Sequence, residues 1–224
     1  MNVAEAIQRR TSIRSFKPEA PSFAVVKDIL ERAARAPSGG NLQPWQVYAL
    51  AGEPLARLKE IVASEPMQQT PEYEIYPPKL SDPYRTRRFE CGEALYATIG
   101  ISRDDKPARL RQMRRNAEFF GAPVSIFVCI DRKLGPPQWA DLGMYMQNVM
   151  LLAVEQGLDT CAQEYWAVRS EPVRKFLNIP PELMLFSGIA LGWRDGDAPI
   201  NRMQTTRDPF EVWGTMLGFE PNTA

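Results

Sequence analysis

The chain has 224 residues, 44% apolar and 24% charged, the profile of a soluble globular protein long enough for one well-buried core. Lys plus Arg balance Asp plus Glu at 27 each, so charge gives no reason to expect nucleic acid or an anionic membrane as the main partner. There is no histidine, which excludes histidine triads, histidine zinc sites and imidazole bases, and three scattered cysteines (Cys91, Cys129, Cys161) argue for a reducing cytoplasm rather than a disulfide framework.

Residues 1–10 lack the apolar stretch of a secretory leader, and no apolar run suits a membrane span. Residues 3–9 read as a short helix. Ser22 caps a stronger one, with Val25, Val26, Ile29, Leu30, Ala33 and Ala34 at helical spacing, and Pro37-Ser38-Gly39-Gly40-Asn41 breaks it. Trp45–Leu50 reads as a strand and Pro54–Ala63 as a helix. Residues 64–84 hold five prolines among tyrosines and charges, a long loop of the kind that often serves as a lid. Helices are predicted over 85–101 and 106–119, the second carrying Lys106, Arg109, Arg111, Arg114 and Arg115. Val124–Ile130 is an apolar, β-branched central strand. Trp139–Gln156 is a long helix, apolar on most faces, which places it in a core or a subunit interface, and Gly157 ends it. Asp159–Tyr165 reads as a short strand or loop, Glu171–Leu177 as a helix and Leu185–Leu191 as a strand. The tail after Gly192 is polar and reads as an extended arm. With no repeat and no low-complexity tract, the chain is one α+β domain over 1–224.

Four constellations can carry chemistry. In an extended Arg10-Thr11-Ser12-Ile13-Arg14 segment, Arg10, Ser12 and Arg14 share one side, and two guanidinium forks with a hydroxyl form an anion receptor; a solvated basic strand is the equal alternative. Pro37 to Trp45 pairs glycines, which let backbone approach a planar ligand, with the polar Asn41 and Gln43 and the flat Trp45; a plain helix–strand turn with a core tryptophan explains it as well. Gly157 to Glu164 follows a buried helix, and Cys161 has no histidine to activate it, so a structural cysteine is favoured over a nucleophile. Arg207 in Asn201–Arg207 adds a cation to an anion site or sits exposed on the tail. No glycine-rich nucleotide fingerprint and no metal-ligand spacing is present. Anion forks and a platform without acid–base machinery suit a protein whose cofactor performs the chemistry.

Arg10-Thr11-Ser12-Ile13-Arg14-Ser15-Phe16 resembles the opening signature of the nitroreductase family, and Pro37-Ser38-Gly39-Gly40-Asn41-Leu42-Gln43-Pro44-Trp45 its second block. Gly157–Glu164 is similar to the strand that meets the flavin ring, and Arg207 stands where the family keeps a late basic residue. Tyr76–Leu80, Phe120–Pro123, Gly135–Gly143 and Thr160–Glu164 resemble the nitrobenzoate-reductase-like branch. Two departures stand out: Thr205 where many relatives carry Lys, and Gln163-Glu164 where Gly or Glu-Gly is common.

The resemblance implies a nitroreductase-like fold, a mostly antiparallel sheet flanked by helices in an intertwined homodimer with an extended C-terminal arm. It implies bound FMN, with NADH or NADPH as electron donor. Carried over, Arg10, Ser12 and Arg207 hold the phosphate, Thr11 helps through its backbone, and Arg14 faces the pyrimidine edge of the flavin. Pro37, Ser38 and Asn41 come from the partner subunit, Gly39 also binds the cofactor, and the N–H of Gln163 or Glu164 meets flavin N5. An insertion at about 64–118 shapes the pocket, with Gly39, Tyr84, Arg88 and Tyr96 as candidate substrate contacts beside ordinary surface roles. The implied activity is NAD(P)H-driven two-electron reduction of nitroaromatics, nitrobenzoate-like, in a ping-pong hydride-transfer cycle. The alternatives are a flavin-dependent reductive dehalogenase of halogenated phenols or tyrosines and a non-catalytic flavin-binding protein. The basic 103–115 helix is too diluted by Asp104, Asp105 and Glu118 to argue for nucleic acid.

Overall fold

The computed structural model describes residues 1–66 and 70–219. Four antiparallel strands form one sheet in the order β1 (Gln46–Ala51), β2 (Val124–Asp131), β4 (Leu183–Gly192) and β3 (Asp159–Gln163). Alternation along β2 divides its side chains between two cores. Ile126, Val128 and Ile130 join Ile29, Ala33, Leu142, Tyr145 and Val149 on one face. Phe127 and Cys129 join Leu55, Leu58, Phe119, Trp166 and Val173 on the other. A strand covered on both sides reads as a continuous apolar run, which is the pattern Val124–Ile130 shows.

Helices α1 (Val3–Arg9) and α2 (Phe23–Ala33) precede β1. The Ser22 hydroxyl accepts from the Val25 N–H at 3.4 Å, the cap expected of it. Helix α3 (Gly52–Ser64) covers the Phe127 face together with α7 (Ser170–Leu177), while α2 and α6 (Pro136–Glu155) cover the other. The start of α6 lies three residues before Trp139, because Pro136 and Pro137 occupy first-turn positions where a missing N–H costs nothing. Gly157, at φ 74°, ends it in the left-handed region that favours glycine.

The stretch between α3 and α4 (Tyr84–Ala97) is irregular, as the prolines predict, apart from residues 67–69, which lie outside the described part. It is pinned at its middle. The Glu72 carboxylate, 6% exposed, pairs with Arg132 at 2.7 Å and Arg174 at 3.7 Å, and the Tyr73 hydroxyl donates to the Phe186 carbonyl at 2.6 Å.

The helix predicted over 106–119 is shorter than its pattern. Helix α5 (Lys106–Arg114) gives way to a 3-10 segment, Arg115–Gly121, in which Phe119 and Phe120 take φ of 51° and 56°. Left-handed backbone costs a non-glycine residue roughly 1–2 kcal/mol. Fully burying each ring returns about 1.5–3 kcal/mol, and Phe119 stacks on Trp166 with centroids 4.5 Å apart. Core packing overrides the helical pattern.

The tail after Gly192 is extended, as expected, on either side of a 3-10 turn at Pro199–Arg202, and it carries the short α8 (Phe210–Trp213). Its far end is not polar: Phe210, Val212, Trp213, Met216, Leu217 and Phe219 are all exposed. No helix among the described residues is long and apolar enough to cross a membrane.

Candidate active site

The Arg10–Arg14 segment leaves α1 in extended conformation and runs beside β3. Ser12 forms a parallel bridge with Thr160, and the Ile13 N–H donates to the Thr160 carbonyl at 3.0 Å. Ile13 is fully buried, so its neighbours on the strand face outward. Arg10, Ser12 and Arg14, with Thr11, line a cavity of about 910 Å³. The opposite wall is Met203–Asp208, which includes Arg207. Asn201 brings the two walls together. Its side-chain carbonyl accepts from the Arg14 N–H at 2.8 Å, and its amide donates to the Ser15 and Asp195 carbonyls at 2.8 and 2.9 Å.

Helix α4 supplies a third wall through Arg87, Glu90, Cys91 and Ala94, one helical face at spacings of three and four. Arg87 is ion-paired with Asp208, which ties α4 to the tail. None of these four was singled out in the sequence, although their common spacing was there to read. Arg14 also borders a second pocket of about 230 Å³, lined with Tyr96, Gln112, Asn116, Cys161 and Ala162 among others.

Among the described residues Arg10, Arg14 and Arg207 form no ion pair. Arg207 donates instead to Thr205 Oγ1 at 2.8 Å and to the Thr206 carbonyl at 2.7 Å, so Thr205 orients the guanidinium. The Thr11 hydroxyl is buried without a hydrogen-bond partner. Three uncompensated guanidiniums and an orphaned hydroxyl around one cavity are a donor set for a phosphate. A second pocket shares Arg14 with this cavity, and the donor set fits the phosphate end of an FMN.

The remaining candidates are distributed as follows. Ser38, Gly39 and Asn41 form a 3-10 turn; the Gly39 N–H donates to Asp141 at 3.2 Å and Ser38 Oγ accepts from the Gln43 N–H at 3.0 Å. Neither they nor Pro37 line the two cavities of the single chain. Trp45 stacks on Tyr145 at 5.0 Å, so it packs rather than binds. The Gln163 side chain is committed to the core: Nε2 donates to Asn116 at 2.9 and 3.0 Å and Oε1 accepts from Trp166 at 3.4 Å, leaving only its backbone for a ligand. Glu164 is exposed, yet protein packed around its carboxyl raises its pKa. Burial also pushes the Cys161 thiol up, against the cations of Arg14 and Arg10, and a thiol held protonated is structural rather than nucleophilic. Of the substrate candidates, Tyr96 lines the smaller pocket under the Arg109 guanidinium at 4.3 Å. Tyr84 is exposed and Arg88 lies 4.2 Å over the Tyr76 ring, both outside the two cavities.

An antiparallel sheet between two helical layers, with an arginine-lined cavity along an edge strand, defines the α+β class of this protein. The nitroreductase family model matches residues 7–193, and the chain belongs to that family. Over 96% of both chains it is 36% identical to nitrobenzene nitroreductase of Ectopseudomonas oleovorans. It is also 36% identical to 4-nitrobenzoate reductase of Nocardioides sp. (strain LMS-CY), over 94% of this chain and 88% of that one. The crystal structure of the FMN and NADPH-dependent nitroreductase NfnB from Sphigopyxis sp. strain HMH superposes with a TM-score of 0.93 at 46% identity, covering 98% of this chain and all of that one.

Proposed function

We propose that this chain is a cytoplasmic, homodimeric, FMN-dependent nitroreductase that uses NADH or NADPH to reduce nitroaromatic compounds of the nitrobenzoate kind. One observation carries the reading: three guanidiniums without ion pairs converge on one cavity beside an edge strand, in a chain similar along its whole length to reductases named for nitroaromatics. FMN, when bound, supplies a ring that takes hydride from a reduced nicotinamide and delivers electrons to a nitro group. Arg10, Ser12 and Arg207 hold its phosphate, with Thr11 contributing its backbone N–H. Arg14 stands at the pyrimidine edge, where a cation at about 4 Å and an effective dielectric near 20 contributes roughly 4 kcal/mol to a developing negative charge before desolvation. The backbone of Gln163 or Glu164 donates to N5.

In the homodimer Pro37, Ser38 and Asn41 complete the other subunit's site. The whole chain is one domain whose 64–118 insertion acts as the substrate lid, with Gly39, Tyr84, Arg88 and Tyr96 toward the aromatic substrate. Reductive dehalogenation is disfavoured because neither Gln163 nor Glu164 offers a hydroxyl at N5. The test is purification under flavin-saturating conditions followed by anaerobic titration. A yellow protein that NADH or NADPH bleaches, and that 4-nitrobenzoate reoxidises, is expected. A colourless chain, or one that nitrobenzoate fails to reoxidise, overturns the reading.

A further inference from the structure

The turn that carries Pro37, Ser38 and Asn41 is strained. Gly40, Asn41 and Gln43 take φ of 58°, 57° and 50°, in the left-handed region. Asn41 and Gln43 are not glycine, and such residues keep that backbone only where their surroundings impose it. Ser38 Oγ, accepting from the Gln43 N–H, closes the turn on itself but does not attach it to another element. The attachment comes from α6. The Asp141 carboxylate accepts from the Gly39 N–H at 3.2 Å, and Asp141 is only 7% exposed. Among the described residues no Lys or Arg pairs with it. A buried carboxylate without a cation is costly and calls for an explanation.

Asp141 belongs to a row. Tyr145 and Asn148 follow it on α6 at spacings of four and three, one helical face. Asn148 Nδ2 donates to the Ala33 carbonyl at 3.2 Å, and the Tyr145 hydroxyl donates to the Leu30 carbonyl at 3.5 Å. Beyond the turn, the Tyr145 ring stacks on Trp45. The row thus holds the chain before the turn and after it, and Asp141 holds the turn itself. Meanwhile Pro37, Gly39, Gly40 and Asn41 are exposed and line neither cavity of their own chain. A brace behind a strained, outward-facing turn suits residues that must meet something outside the chain in a fixed geometry. We infer that Asp141 is a positioning residue for the other subunit's site: through the Gly39 N–H it fixes the 37–41 turn that completes the flavin pocket across the dimer. The inference rests on the homodimeric FMN reading above.

The experiment uses the full-length chain, stripped of flavin and titrated with FMN by flavin fluorescence. Asp141→Ala is expected to weaken FMN binding about tenfold. Asp141→Asn keeps an acceptor oxygen for the Gly39 N–H and should stay within about threefold of the wild type. Thermal melts of the flavin-free proteins check folding; if Asp141→Ala does not fold, Asp141→Ser, whose shorter hydroxyl does not reach the Gly39 N–H, takes its place. A mixed dimer separates positioning across the subunits from ordinary packing. Two differently tagged chains, one Arg10→Ala and the other Asp141→Ala, are co-expressed and the dimer bearing both tags is isolated. Receptor and turn of each site come from different chains, so one site carries both lesions and the other neither. One wild-type-affinity site per mixed dimer is expected, where each parent homodimer has none. Two weakened sites, the mark of a role within its own subunit, overturn the inference. So does Asp141→Ala with wild-type affinity, or Asp141→Asn as weak as Asp141→Ala. A monomeric or FMN-free wild type, or an Arg10→Ala homodimer of wild-type affinity, brings down the functional reading; a failed mixed dimer beside a dimeric, FMN-binding wild type brings down this inference alone.

Discussion

The β-sheet, through Cys161 and Ala162 of β3, and the α4–α5 pair border the same smaller pocket but are held in place by different forces. Ile126, Phe127, Val128, Leu185 and Ile189 are all fully buried. Helix α4 has no buried residue and α5 only Ala108. Polar links replace the missing core: Arg109 to Glu93, Arg87 to Asp208, and Arg103 over the Phe89 ring at 5.0 Å. A buried large side chain contributes about 1.5–3 kcal/mol, an exposed ion pair about 0–1. The sheet is therefore the rigid half of the site, with the Arg10–Arg14 segment bridged to its edge strand. The helical pair opens at far lower cost, as suits a wall that must admit an aromatic substrate.

The most severe challenge to this division is Trp166→Ala. Trp166 is fully buried between Phe119 and Phe127, and its loss is expected to destabilise the flavin-free protein by about 3–5 kcal/mol in chemical denaturation. A cost below about 1 kcal/mol would mean the sheet is no firmer than the helices.

Arg10→Ala should come next. It removes charge-assisted hydrogen bonds from the receptor and is expected to weaken FMN binding about 10- to 100-fold in calorimetric titration, with the melting temperature of the flavin-free chain nearly unchanged. Wild-type affinity would show that the phosphate lies elsewhere.

Cysteine accessibility then sharpens the contrast with a smaller but cleaner signal. Burial pushes the Cys129 thiol up to about 12 and raises that of Cys161, whereas Cys91 is exposed on the cavity wall of α4. A thiol reagent at pH 8 should label Cys91 alone in the native chain, more slowly once FMN is added. Labelling of Cys161 at a comparable rate would show that β3 opens as readily as α4.

The mildest perturbation is pH. Hydrogen bonding to Arg109 is the main cause holding the Glu93 carboxyl below its ordinary pKa. Its linkage is complete above the unfolded carboxylate value of about 4.3 and is lost as pH falls through the lowered native value. Below about pH 4, amide exchange in α4 and α5 should quicken while the sheet stays protected, and Glu93→Gln should produce the same local opening at neutral pH. Uniform loss of protection across sheet and helices would erase the distinction.

Much of this was legible in the residues. The Ser22 cap, the two-sided apolar run of β2 and the Gly157 stop are local signals, and each produces the element expected. The signature segment at Arg10–Arg14 and the block ending at Glu164 meet in space, as the family resemblance implies. The left-handed pair Phe119 and Phe120 was not legible, because a helical pattern runs straight through them and only the Trp166 ring decides otherwise. Tyr96 of α4 lines the smaller pocket as expected of it, but the α4 face of Arg87, Glu90, Cys91 and Ala94 on the larger cavity was missed for a related reason: its spacing marks a face, and nothing local says what that face meets.

By itself the sequence determined where most helices and strands lie, that histidine chemistry is excluded, and that the chain opens on a candidate anion receptor. These follow from periodicity, caps and side-chain chemistry, which act over a few residues. The tertiary structure decided that Arg207 faces that receptor, through an Asn201 clamp reaching 187 residues back to Arg14. It also decided that Asp141 of α6 meets the Gly39 N–H, 102 residues back. Contacts at that separation depend on strand register and on the packing of whole layers, which no short window of residues encodes.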